Sequence, residues 1–245
     1  MPIWTKHAAE QTVKIDHSQW QQLLHRYLTL SKDSIALVKY SAVSDKARNQ
    51  LSDYLTMLQS IPVSSLTRDQ QRSYWINLYN AGTVSVILDH YPVKSIRDID
   101  ISPGLFADGP WGKKLFSIEK HPVSLNDIEH RILRPIWKDP RLHYALNCAS
   151  LGCPNLQASA FTTSNSEKLL NSAAQSYVNH PRGVKIIEGE LIVSSIYHWF
   201  KSDFGGTDKG VIRHFQAFAE SELAGLLQRV EKIGDHDYSW SLNES

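Results

Sequence analysis

Between Thr67 and Pro92 the chain carries the pattern that most restricts its fold. Thr67 and Gln70 have the spacing of a capping box, in which each side chain satisfies the other's backbone N–H. The run continues to about His90 and stops at Tyr91-Pro92, because the residue before proline disfavours helical geometry. Trp75, Leu78, Tyr79, Gly82 and Val86 fall on one face at helical spacing. A long helix with so many large rings needs substantial partners, so the rest of the chain must supply a core around it. With 245 residues and 42% hydrophobic content it can do so.

Two further helices are predicted before this one. Asp16 caps a stripe of Trp20, Leu23, Leu24, Tyr27 and Leu28, and Ser44 caps a second of Ala47, Leu51, Tyr54, Leu55 and Leu58. Residues 92–123 are broken by Pro92, Pro103, Pro110 and Pro122 and read as a structured loop region, in which Leu105, Phe106, Trp111, Leu115 and Phe116 need apolar cover. Ser124 and Asp127 open a helix bearing Ile128, Ile132, Leu133 and Ile136. Residues 141–148 read as a strand. Residues 166–179 form a helix, and Val184–Ile187 with Leu191–Val193 form a β-hairpin around Glu188, Gly189 and Glu190. A short helix over 195–203 and one or two more over 211–230 complete the chain. The expectation is one α+β domain over residues 1–245, with a helical N-terminal half packed on a small, mainly antiparallel sheet.

Composition narrows the function. Lys and Arg number 26 against 25 Asp and Glu, a net charge of +1, so no bulk positive field draws nucleic acid. No apolar run approaches the roughly 20 residues of a membrane span. Two cysteines exclude a disulfide-dense scaffold and a four-cysteine zinc site. No metal and no cofactor is expected. The N-terminus lacks the basic and apolar regions of a secretory signal. The chain as written is therefore expected in the cytoplasm, or in the periplasm if Met1 replaces a removed leader.

The densest chemistry lies in residues 139–154, which hold His143, Asn147, Cys148, Ser150 and Cys153. A thiol nucleophile needs a base for its proton and a third group to orient that base. His143 is the nearest base to Cys148, and Glu129, on the preceding helix, is the candidate orienter, with His130 beside it. On an ideal strand, residues five apart face opposite sides, so the pair requires the strand to end or bulge before Cys148. If the chain exits there, backbone N–H groups after Cys148 are available as an oxyanion hole. Cys153, before Pro154, is an alternative nucleophile, and a Cys148–Cys153 disulfide or redox pair is a third option. Either cysteine could equally be inert core. Asn77 and Asn80 are read as buried amides that fix helix packing, with a substrate-binding or supporting role for Asn80 as the alternative. Trp199, Phe200, Asp203 and Phe204 are read as packing and a cap.

Four segments together resemble the bacterial branch of the domain-of-unknown-function 547 family: residues 74–81; 125–130 with Leu133 and Arg134; 139–154; and 196–204. The resemblance spans about residues 16–204. It implies kinship with papain-like and transglutaminase-like thiol hydrolases, and that Cys148 matches the nucleophile, His143 the base and Glu129 the acidic member. The implied activity is hydrolysis or transfer of an amide, ester or thioester acyl group, on a peptide or small acyl substrate. Plant relatives keep the residue matching Cys148 but not those matching His143 and Cys153. A non-catalytic binding module with an aromatic groove is therefore the competing expectation. Bacterial relatives often carry export signals, which favours the periplasmic alternative.

Overall fold

The computed structural model describes residues 2–104 and 108–245; Met1, Leu105, Phe106 and Ala107 lie outside them. The expected helices form, the second and third at their predicted caps and the first from Ser18, with His17 rather than Asp16 at its cap position. Asp16 accepts a hydrogen bond from the Ser18 N–H at 2.9 Å at the head of α1 (Ser18–Tyr27). A short hairpin follows, β1 (Leu28–Leu30) and β2 (Ala36–Val38), antiparallel. Ser44 caps α2 (Asp45–Ser60), and the Thr67–Gln70 capping box opens α3 (Arg68–His90). α3 is buried almost all round, so it is the axis of the larger core rather than an amphipathic surface helix. Trp75 and Leu78 are wholly inaccessible, and Tyr79, Ile132, Tyr144 and Leu146 are also buried. Each such side chain contributes roughly 1.5–3 kcal/mol.

The proline-broken region resolves into a second antiparallel hairpin, β3 (Lys114–Ile118) and β4 (His121–Ser124), with a register shift between Lys114 and Phe116. This hairpin and β1–β2 were not expected from the pattern, because strands of three to five residues are too short to show alternation. β3 packs on α2, and Phe116 lies against Gly82 of α3. A β-carbon at Gly82 would stand 2.4 Å from the Phe116 ring. Beyond β4 the chain winds as a π-helical segment, Asp127–Leu133, before α4 (Arg134–Trp137).

The expected strand over 141–148 is absent. The left-handed Lys138 ends α4, and Asp139 accepts from the Arg141 N–H and guanidinium, tightening the chain into α5 (Leu142–Ala145). The chain becomes extended only from Leu146. A local carboxylate-to-backbone turn thus wins over an apolar pattern too short to specify a strand.

The second half forms a separate apolar cluster. It contains α6 (Ser166–Val178) and an antiparallel pair, β5 (Val184–Ile187) and β6 (Glu190–Ser194). Next come α7 (Ile196–Trp199), α8 (Asp208–Gln216) and α9 (Ser221–Leu227). β7 (Asp235–Asp237) then pairs in parallel with β6. The fold is α+β, with three small separate sheets among the described residues rather than one. No helix among the described residues is long and apolar enough to cross a membrane.

Candidate active site

The site forms where the two apolar clusters meet. Tyr144 packs in the second while its neighbours Leu142, Ala145 and Leu146 pack in the first. Residues 146–154 leave α5 as a loop held from every side. Asn80, on α3, donates to the Ala145 carbonyl at 2.8 Å and accepts from the Asn147 N–H at 2.9 Å. Asn147 donates to the Pro154 carbonyl and accepts from the Ala149 N–H, bracing the loop from within. Tyr177 Oη donates to the Gly152 carbonyl at 2.6 Å. The C-terminal segment crosses outside: Ser241 and Ser239 carbonyls accept from the Leu151 and Gly152 N–H groups, each at 2.8 Å. A β-carbon at Gly152 would meet Ser239 backbone at 2.8 Å, so the approach requires glycine.

This scaffold sets both sulfurs. The Cys148 and Cys153 Sγ atoms are 3.0 Å apart, both as free thiols, with Cys148 half-buried and Cys153 fully buried behind it. Ser150 Oγ and Tyr238 Oη lie 3.2 and 3.0 Å from Cys148 Sγ. The hydrogen bond with Cys153 lowers the Cys148 pKa, outweighing burial; Ser150 and Tyr238 add to it, and the Glu129 charge opposes it. Burial pushes the Cys153 thiol well up, and the contact with Cys148 pushes it further. The pair is therefore polarised, one sulfur favouring thiolate and the other retaining its proton.

The two N–H groups nearest the sulfur are already engaged. The Cys148 N–H donates to Cys153 Sγ at 3.0 Å and the Ala149 N–H to Asn147 Oδ1 at 2.9 Å. Of the N–H groups after Cys148 that were expected to form an oxyanion hole, those of Ala149, Leu151, Gly152 and Cys153 are already engaged.

His143 sits on α5, 5% exposed, with its ring stacked on Phe200 at 4.4 Å. Its Nε2 lies 2.8 Å from Asp203 Oδ2, and Arg134 grips the same carboxylate through Nε at 2.6 Å and Nη2 at 3.1 Å. These contacts, the His143 bond first, hold the Asp203 carboxyl well below the usual carboxylate range. An ionised Asp203 only accepts, so Nε2 carries the proton and, in the neutral ring, Nδ1 is left as an acceptor. Glu129 Oε1 stands 3.8 Å from that Nδ1, beyond hydrogen-bond length. Glu129 accepts instead from Tyr79 Oη at 3.3 Å. The group that orients His143 is thus Asp203, which the sequence pattern had placed among packing and capping residues. No hydrogen bond joins His143 to Cys148; they share a cavity rather than a contact.

That cavity is about 220 Å³ and is lined by Glu129, His130, His143, Cys148 and Cys153 among aromatic and aliphatic walls. Trp111, Trp199, Tyr238 and Trp240 form one side, with Trp199 stacked on Trp240 at 5.7 Å and Tyr238 against both. His130 lines the cavity and accepts from Arg134 at 3.1 Å through Nδ1; burial pushes its pKa down. Asn147, Ser150 and Asn80 act behind the surface, on the loop and its sulfur. Tyr238, Trp240 and Trp111 were missed by sequence reasoning. The available signal was two large rings, Tyr238 and Trp240, in an otherwise polar terminal segment. Among the described residues no cluster of three or more His, Cys, Asp and Glu side chains is arranged to hold a metal.

What fold and site define is an α+β protein with a polarised thiol pair facing a histidine–aspartate pair across an aromatic cavity. Residues 63–178, which include α3, Glu129, His143 and both cysteines, match the family model described as protein of unknown function, DUF547. That match supports the DUF547 family for this chain. Neither the curated proteins nor the solved structures contain a match.

Proposed function

We propose that this protein is a thiol-dependent hydrolase or acyltransferase acting on an amide, ester or thioester. The observation that carries the reading is that the Cys148 sulfur, with three hydrogen-bonding neighbours, opens into the cavity that the His143–Asp203 pair also lines. In this mechanism the Cys148 thiolate attacks the carbonyl carbon and the leaving group departs as an acyl-enzyme forms. His143 acts on the substrate side of the cavity. It protonates the departing amine, alcohol or thiol, then takes a proton from the water or acceptor that releases the acyl group. Asp203 keeps the ring oriented and stabilises its charged form. The thiolate needs no imidazole partner, because its neighbours already favour it. Tyr238 Oη is the donor best placed to follow charge that develops beside the sulfur. The aromatic walls suit an acyl group with apolar or planar surface. Kinship with papain-like thiol hydrolases, implied by the motif resemblance, is part of this proposal.

The test is acyl trapping. The protein is incubated with a panel of activated esters and thioesters, quenched in acid and mapped by mass spectrometry. The reading expects an acyl group on Cys148, absent in Cys148→Ser. In Asp203→Asn turnover is expected to fall by about 10²-fold or more, at the lower end of what general acid–base groups contribute, and the melting temperature to fall as well, because Arg134 and His143 lose an ionised partner. Absence of any acyl adduct across the panel would contradict it.

A further inference from the structure

We infer that Cys148 and Cys153 also form a two-electron dithiol centre that exchanges with small-molecule or peptide disulfides, with Cys148 attacking and Cys153 resolving. The inference is independent of the acyl reading and rests on the relation between the two sulfurs.

Three observations carry it. The sulfurs are 3.0 Å apart, so closing to the roughly 2.05 Å of a disulfide takes about 1 Å. The two thiols differ in access as an attacking and a resolving thiol must. Both border the cavity, but Cys148 is half-buried whereas Cys153 is only 3% exposed. The loop between them is pinned by Tyr177 to the Gly152 carbonyl, by Arg182 to the Leu151 carbonyl at 2.9 Å, and by the Ser239 and Ser241 carbonyls outside. The chain therefore holds the pair together without needing to reorganise. The opposite directions in which the two thiols are shifted, Cys148 toward thiolate and Cys153 toward thiol, match the same division of labour.

The chemistry balances as thiol–disulfide exchange. The Cys148 thiolate attacks one sulfur of a substrate disulfide, a mixed disulfide forms, and the first substrate thiolate leaves. Cys153 loses its proton, which neutralises one substrate thiolate, and attacks the Cys148 sulfur, expelling the second substrate thiolate. That one is protonated from solvent, which received the Cys148 proton when the thiolate formed. The protein loses two electrons as the Cys148–Cys153 disulfide forms, and the substrate disulfide gains them as two thiols. In the oxidised state no Cys148 thiolate exists, so acyl chemistry at the same sulfur stops until a thiol reductant reverses the exchange.

The experiment uses oxidised glutathione as the probe on the reduced chain of residues 1–245, with intact mass, peptide mapping and released thiol measured together. Wild type is expected to end as the internal disulfide with two glutathione thiols released per chain. Cys153→Ser, an isosteric change checked by its melting curve, is expected to stop at a glutathione adduct on Cys148 with one thiol released. Cys148→Ser is expected to release none. A wild type that stays a dithiol, keeps a stable glutathione adduct, or is modified first at Cys153 overturns the inference. If acylation of Cys148 persists in Cys153→Ser while resolution is lost, both readings stand. Loss of acylation alone in wild type removes only the acyl reading.

Discussion

α3 and the cysteine loop touch each other, yet they are specified in opposite ways. α3 is set locally: a capping box at Thr67, ring residues at helical spacing, and a stop at Tyr91-Pro92. The loop over 146–154 has no regular element of its own; Asn147 braces it from within, but remote groups set its place. Its conformation comes from Asn80 on α3, Tyr177 on α6, and a C-terminal segment some ninety residues further along the chain. A rigid local element carries the scaffold, and a remotely clamped one carries the chemistry. Changes to the clamps should therefore alter reactivity, while equivalent changes elsewhere on α3 should alter only stability.

The sharpest way to break that comparison uses two asparagines three residues apart. Asn77 bonds both backbone groups of Phe161, at 2.7 and 3.0 Å, whereas Asn80 bonds Ala145 and Asn147. Either alanine variant leaves two backbone groups without partners and should cost about 2–5 kcal/mol, read as a lower melting temperature. Only Asn80→Ala should also change the rate at which Cys148 is alkylated. Equal reactivity in the two variants would show that the loop holds its shape without α3.

Next in size is a pH effect in which the two halves should behave alike. His17, bonded to Tyr54 Oη in the larger core, and His214, bonded to Tyr144 Oη in the second, are both pushed down to about 4 by burial. The unfolded chain takes up protons near 6.5 and the folded chain does not. The stability these neutral rings confer is therefore complete above 6.5 and is lost as pH falls from there toward 4. The expected loss is about 3 kcal/mol for each histidine, followed by thermal unfolding across that window. His214→Gln keeps a side chain able to bond Tyr144 and should reduce the slope. A melting temperature independent of pH between 6.5 and 4.5 would contradict the account.

Smaller effects are expected at the sulfur itself. Glu129→Gln removes the charge that disfavours the Cys148 thiolate and should speed its alkylation several-fold near neutral pH. Tyr238→Phe removes a neighbour that favours it and should slow alkylation. The opposite order would show that Glu129 acts through His143 rather than on the thiol.

The same contrast explains what could be read from the sequence. α2, α3, α6 and the β5–β6 hairpin follow from caps, periodicity and a Gly-containing turn; α2 buries the predicted stripe, whereas α3 buries its other faces as well. The segment over 141–148 resembled a strand because its apolar residues ignore helical period, and the deciding bond, Asp139 to Arg141, is polar and local. Asp203 looked like a cap because its real partners, His143 and Arg134, are 60 and 69 residues away. Tyr238 lies 90 residues from the sulfur it touches. The residues bearing chemical groups were legible as types; the partners that tune them depend on contacts that periodicity does not encode.

The most direct test of the central claim, a polarised thiol pair with Cys148 as the reactive member, is the pH dependence of alkylation at each cysteine in the folded protein. The reduced chain is treated with iodoacetamide across the acid-to-alkaline range, and each site is quantified by peptide mass spectrometry. The account predicts that Cys148 reacts first, with a midpoint below the free-thiol value of about 8.5. Cys153 should stay protected until unfolding, and His143→Ala should leave the Cys148 midpoint in place because no hydrogen bond links the two. Labelling of Cys153 first, or of neither cysteine until the protein is denatured, would contradict it.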